Sequence, residues 1–112
     1  MTPIAPEGVF IDVAKDFSRT PGGRYISESK WSGEEFRQNH LEPPLRLGKT
    51  ITVDLDGVVG ITSSFLEEAF GGLVRVFGVD IVKRISFVAP TRPTRARKAL
   101  EYVQRAIALS NG

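Results

Sequence analysis

Three short β-branched runs, at residues 9–13, 50–55 and 84–89, are separated by segments that carry helix-start chemistry. This alternation limits the fold more than any other feature of the chain. The run at 50–55, TITVDL, sets Ile51, Val53 and Leu55 on one face and Thr50, Thr52 and Asp54 on the other, the period of a strand with one buried side. Ser32 stands three residues before Glu35, and Ser64 three before Glu67. In each pair both side chains can satisfy an orphan backbone N–H of a first helical turn. After Ser64, read here as the helix cap, Leu66, Phe70, Leu73 and Phe77 recur at steps of four, three and four, which predicts an apolar helix stripe over 64–77. Pro43 and Pro44 are expected to end the preceding helix, and Pro93 to open a last helix that stops at Ser110, Asn111 and Gly112. A short additional strand is expected at 24–27, after the turn chemistry of residues 18–23. Strands alternating with helices imply an α/β fold: one small domain over 8–112, a mixed sheet of about four strands with helices packed on it, and a loose lead-in at 1–7.

Composition removes several functional classes. The 112 residues contain no Cys, which excludes disulfides, thiolate metal sites and a cysteine nucleophile. His40 is the only histidine, so any histidine-dependent step would have to use it. No apolar run approaches the ~20 residues that span a bilayer, and the N-terminal MTPIAPEG has no signal-peptide pattern, so a cytoplasmic domain is expected. The net charge of +2 conceals an asymmetry. Residues 1–74 carry seven basic and eleven acidic side chains, whereas residues 75–112 carry eight basic and two acidic.

Within residues 51–73, ITVDLDGVVGITSSFLEEAFGGL, a strand is followed by a turn and a serine pair that opens a helix. The segment resembles the STAS domain of bacterial anti-sigma factor antagonists. With P-G-G-R at 21–24 and S-G-E-E-F at 32–36 it resembles, more closely, a STAS-like family of short bacterial proteins, over roughly residues 8–110. The resemblance implies a non-enzymatic regulatory domain, without metal or cofactor, that binds a protein partner. In antagonists that partner is an ATP-binding anti-sigma kinase, which phosphorylates the second serine. The corresponding position is Ser64, with Ser63 beside it, and the surrounding Asp56, Thr62, Phe65 and Glu68 are then expected at the partner surface. Thr62 stands where antagonists have Asp, and Phe65 where they have Gly. A phosphate at a helix N-terminus would meet unpaired N–H groups and the positive dipole end.

Two other readings rest on the residues alone. Asp54-Leu-Asp56-Gly57 at a strand end resembles the first motif of haloacid-dehalogenase-type phosphatases, with Asp54 as nucleophile and Asp56 as acid and base. That chemistry needs further distant acids to hold Mg²⁺, and only Asp80 and Glu101 follow residue 68. The blander expectation is a strand end and a turn. The basic residues Arg92, Arg95, Arg97 and Lys98 crowd the start of the last helix, where cations oppose the dipole. With Arg24 after its two glycines, they are the candidates for an anion or nucleic-acid contact. Gly71 and Gly72 inside the 64–77 helix each cost ~1 kcal/mol relative to Ala, a cost expected to be offset by close packing.

Overall fold

The structure, a computed structural model, describes residues 8–111. The lead-in at 1–7 and the terminal Gly112 lie outside the described residues. Strand β1 (Gly8–Asp12) passes directly into a single helical turn α1 (Val13–Asp16), capped by the Asp12 carboxylate accepting from the Lys15 N–H. Helix α2 runs over 33–46 and β2 follows at Thr50–Asp54. Helix α3 runs over 63–77, a 3₁₀ segment (Val79–Arg84) leads into β3 (Ile85–Val88), and α4 (Pro93–Asn111) closes the chain.

The sheet has the order β1–β2–β3 and both pairings are parallel, Gly8 opposite Thr50 and Ile51 opposite Ile85. The expected alternation of β2 holds: Ile51, Val53 and Leu55 are buried. The expected four-stranded mixed sheet is not what forms among the described residues. The segment 24–27 is a turn, because its backbone is drawn onto the start of α2 instead of onto a strand. Gly33 N–H donates to Gly23 O, Glu34 N–H to Arg24 O, and Ile26 N–H to the Glu34 carboxylate.

Helices α2 and α3 share an unusual construction. Each begins as α-helix (Gly33–Phe36; Ser63–Leu66), widens through a π-helical turn (Arg37–Leu41; Glu67–Gly71) and returns to α-helix (Glu42–Arg46; Gly72–Phe77). This corrects the expectation that Pro43 and Pro44 end α2. They lie in its last segment instead. A proline ring normally collides with the carbonyl four residues back and leaves its hydrogen bond unmade. Here the Glu42 N–H already reaches Arg37 O, five residues back, and the wider turn lets the prolines follow.

The core is built where α2 crosses α3. A Cβ on Gly33 would sit 2.6 Å from Phe65 O and 3.0 Å from Ala69 N, so only glycine lets the two backbones approach this closely. Around the crossing, Phe36, Phe65 and Phe70 are fully buried, and Phe17, Phe36 and Phe65 stack with ring centroids 5.0–6.1 Å apart. His40, unpartnered in the sequence, stacks on Phe36 at 5.4 Å.

Candidate functional site

Thr62 caps helix α3. Its Oγ1 accepts from the Phe65 N–H at 3.2 Å and also from the Gly23 N–H at 3.2 Å, tying the Gly-rich turn to the helix start. The cap therefore lies two residues before the Ser64 expected from the sequence. The extra donor, Gly23, comes from 39 positions away and favours Thr62. Ser63 and Ser64 become the first two helical residues, and neither hydroxyl is held by a hydrogen bond among the described residues. The two serines face different spaces. Ser64 lines a groove of about 460 Å³ with Gly23, Arg24, Tyr25 and Glu28. Ser63 lines a cleft of about 320 Å³ against the start of α4.

Two residues expected at a partner surface lie inside. Phe65 is 0% exposed, because its place as the third residue of α3 turns it into the aromatic core. Glu68 is 8% exposed, and its carboxylate accepts from Arg37 Nη1 at 2.5 Å. Arg37 is the centre of this arrangement. Its Nε donates to Glu42 at 2.8 Å, and Nη1 also donates to the Glu68 carbonyl at 2.8 Å. The π-helical turn frees that carbonyl, since the Gly72 N–H bonds Glu67 O instead. Arg46 closes the other oxygen of Glu42 at 2.8 Å. On the opposite side Arg24 pairs with Glu67 and, at 3.4 Å, with Glu68, and Arg75 grips Glu67 at 2.6 and 3.1 Å. Four arginines and three glutamates thus form one chain of ion pairs from the Gly-rich turn across α3 to the end of α2.

Gly71 and Gly72 are explained by this network. A Cβ on Gly72 would collide with the Arg37 guanidinium, and one on Gly71 would lie 2.6 Å from a Glu67 oxygen. The expected packing offset is therefore packing against buried charge. Arg24, a candidate for an anion contact, is here engaged by two carboxylates, Glu67 and Glu68.

Burial disfavours the Arg37 cation, but the hydrogen bonds it donates to Glu68 and Glu42 outweigh this and raise its pKa. Hydrogen bonds from Arg75, opposed by partial burial and joined by those from Arg24, hold Glu67 below its ordinary value.

Asp54 and Asp56 build a turn. Asp54 Oδ1 accepts from the Asp56 N–H at 2.9 Å. Asp56 then clamps the β3–α4 connection, accepting from Thr91 N–H at 2.8 Å, Arg92 N–H at 3.1 Å and Thr91 Oγ1 at 2.9 Å. Desolvation opposes the Asp56 anion, yet the Thr91 and Arg92 hydrogen bonds prevail and lower its pKa. Asp56, expected at the partner surface, is thus turned towards its own loop. No group of three His, Asp or Glu that could hold a metal ion occurs among the described residues.

With Glu67 and Asp56 both depressed, their contribution is complete above the unfolded carboxylate values and is lost as pH falls through the lower folded ones. The thermal midpoint is expected to fall steadily from about pH 5 towards pH 3. A midpoint that holds or rises across that interval would show that these carboxylates stabilise nothing.

The basic cluster divides. Arg95 Nη1 donates to Val58 O and, at 3.4 Å, to Leu55 O. Lys98 lines the Ser63 cleft beside Arg95. Arg97 donates to Thr94 Oγ1 at 3.1 Å and lines a separate groove with Ile85, Phe87 and Leu100 against β3. Arg92 is exposed on the loop that Asp56 holds.

The site also uses residues the sequence did not single out. Arg37, Glu42 and Arg75 hold the network, and Tyr25 lines the Ser64 groove. The paired glycines within α3 were the one visible signal of the first.

No helix among the described residues is long and apolar enough to cross a membrane. Residues 32–94, from the α2 cap to the first turn of α4, match the model of a family described as a STAS-like domain of unknown function (DUF4325). No curated protein and no solved structure matches the chain.

Proposed function

Since the chain belongs to the STAS-like domain family DUF4325, we propose that it is a non-enzymatic regulatory domain that docks a protein partner at the start of α3 and is switched by a charge at Ser64. The observation that carries this reading is the cap assignment. With Thr62 occupying the cap, the Ser64 hydroxyl is left without a bond, on a rigid helical turn beside a groove. Exposed apolar side chains suited to a protein contact flank that turn along the chain or across the groove: Tyr25 (44% exposed), its neighbour Ile26 (51%) and Val59 (61%). Thr62 holds the Gly23 turn in register with the helix, so the surface is pre-organised. A phosphate on Ser64 adds about −1.5 to −2 charges there and remains compatible with the positive end of α3.

The partner implied by the family resemblance is an ATP-binding, anti-sigma-kinase-like protein, met in the cytoplasm. The absence of turnover is supported by Asp54 and Asp56, whose oxygens hold the turn and the loop. A continuous nucleic-acid face has less support, because Arg97 and Lys98 line different depressions.

Affinity capture from the native host with wild type and Ser64→Glu tests the proposal. Wild type is expected to enrich an ATP-binding protein, and Ser64→Glu to recover about tenfold less, or 1.4 kcal/mol. Equal recovery by both removes the switch. Recovery of no protein by either removes the adaptor role.

A further inference from the structure

The cleft at Ser63 has an imbalance of charge that nothing in the fold accounts for. Its polar lining comprises Arg95 and Lys98 together with the hydroxyls of Ser63 and Thr94, and no acidic side chain lines it. Among the described residues no carboxylate pairs with either cation. Arg95 is not adrift. Its bonds to Val58 O and Leu55 O fix the guanidinium in place while leaving its charge uncompensated. Both cations also sit in the first two turns of α4, where they oppose the helix dipole, so their placement does not serve the helix. The rest of the lining is apolar, with Ile61, Leu66 and the ring of Tyr102, which follows Lys98 by one helical turn on α4. At about 320 Å³ the space suits a small organic molecule.

We propose that this cleft binds a small organic phosphate monoester. Its dianionic head lies between Arg95 and Lys98, with the Ser63 hydroxyl donating to it, and its apolar body rests on Leu66 and Tyr102. A dianion matches two cations, and an Arg beside hydroxyl donors suits a tetrahedral oxyanion. The inference stands apart from the partner-binding reading, because the groove that contains Ser64 is a different one.

Phenyl phosphate, titrated into the full chain at low salt and followed by amide chemical shifts, tests the assignment. Saturable shifts are expected at Ser63, Thr94, Lys98 and Tyr102. Lys98→Glu, at an exposed side chain, is expected to weaken binding at least tenfold, and Ser63→Ala severalfold. Lys83→Glu, paired only with Asp80 on the 3₁₀ segment, should bind like wild type. Inorganic phosphate should bind more weakly than phenyl phosphate, and benzoate more weakly than either. Equal weakening by Lys98→Glu and Lys83→Glu would reduce the effect to diffuse charge and overturn the site. Benzoate binding as tightly as phenyl phosphate, or inorganic phosphate doing so, would overturn the phosphate head or the apolar body respectively. Shifts that never saturate would overturn the proposal entirely.

Discussion

Arg37→Ala is expected to destabilise the protein by about 3–5 kcal/mol, the cost of removing the buried cation that two buried carboxylates share. Two carboxylates, Glu42 and Glu68, and the Glu68 carbonyl lose the buried donor they share, leaving only the more exposed Arg46 beside Glu42 and Arg24 and Arg75 beside Glu68. Against a total stability of about 5–15 kcal/mol, that approaches unfolding. The comparison variant is Arg105→Ala, which removes an exposed Glu101 pair on α4 and should cost under about 0.5 kcal/mol. Urea unfolding of both variants decides the matter. Equal costs would mean that the ion-pair chain between α2 and α3 is ornamental. Replacing Arg37, Glu42 and Glu68 together by apolar residues should recover much of the loss, since the penalty lies in the orphaned charges more than in the missing attraction.

Phe65→Ala is expected to cost about 3–5 kcal/mol, from lost burial plus the cavity left between Phe36 and Phe70. Tyr25→Ala, at a half-exposed ring, should leave stability nearly unchanged and weaken partner capture instead. The pair separates core from docking surface at neighbouring sites. A Phe65→Ala variant that stays stable and loses the partner would return Phe65 to the surface role its sequence position suggested.

Much of the fold was legible because it is local. The alternation at 50–55 and the apolar stripe of α3 report burial within one element, and both appear in the structure. The features that escaped depend on distant chain. Thr62 caps α3 because a second donor, Gly23, reaches it from another loop; by local spacing Ser64 and Glu67 made an equally good capping pair. Glu68 read as a surface acid because its partner Arg37 is 31 positions away, and nothing local marks Arg37 as buried. Residues 24–27 have strand-like composition, but the start of α2 takes their backbone bonds. Pro43 and Pro44 ended the helix on local rules that a π-helical turn suspends. At the candidate site, the serine pair and the basic cluster were visible, whereas the division of that cluster between two depressions followed from the placement of α4 alone.

The all-parallel order of the sheet also governs how the chain finds its structure. Among the described residues no hairpin nucleates it: Gly8 must meet Thr50, and Ile51 must meet Ile85, across intervening helices. Such long closures lose chain entropy before any ladder bond returns it, and they slow folding relative to local topologies. The α2–α3 crossing closes over a similar separation, and it carries the aromatic core. A transition state centred there, with β1 and β3 docking afterwards, would leave both outer strands as the last elements to gain protection during refolding.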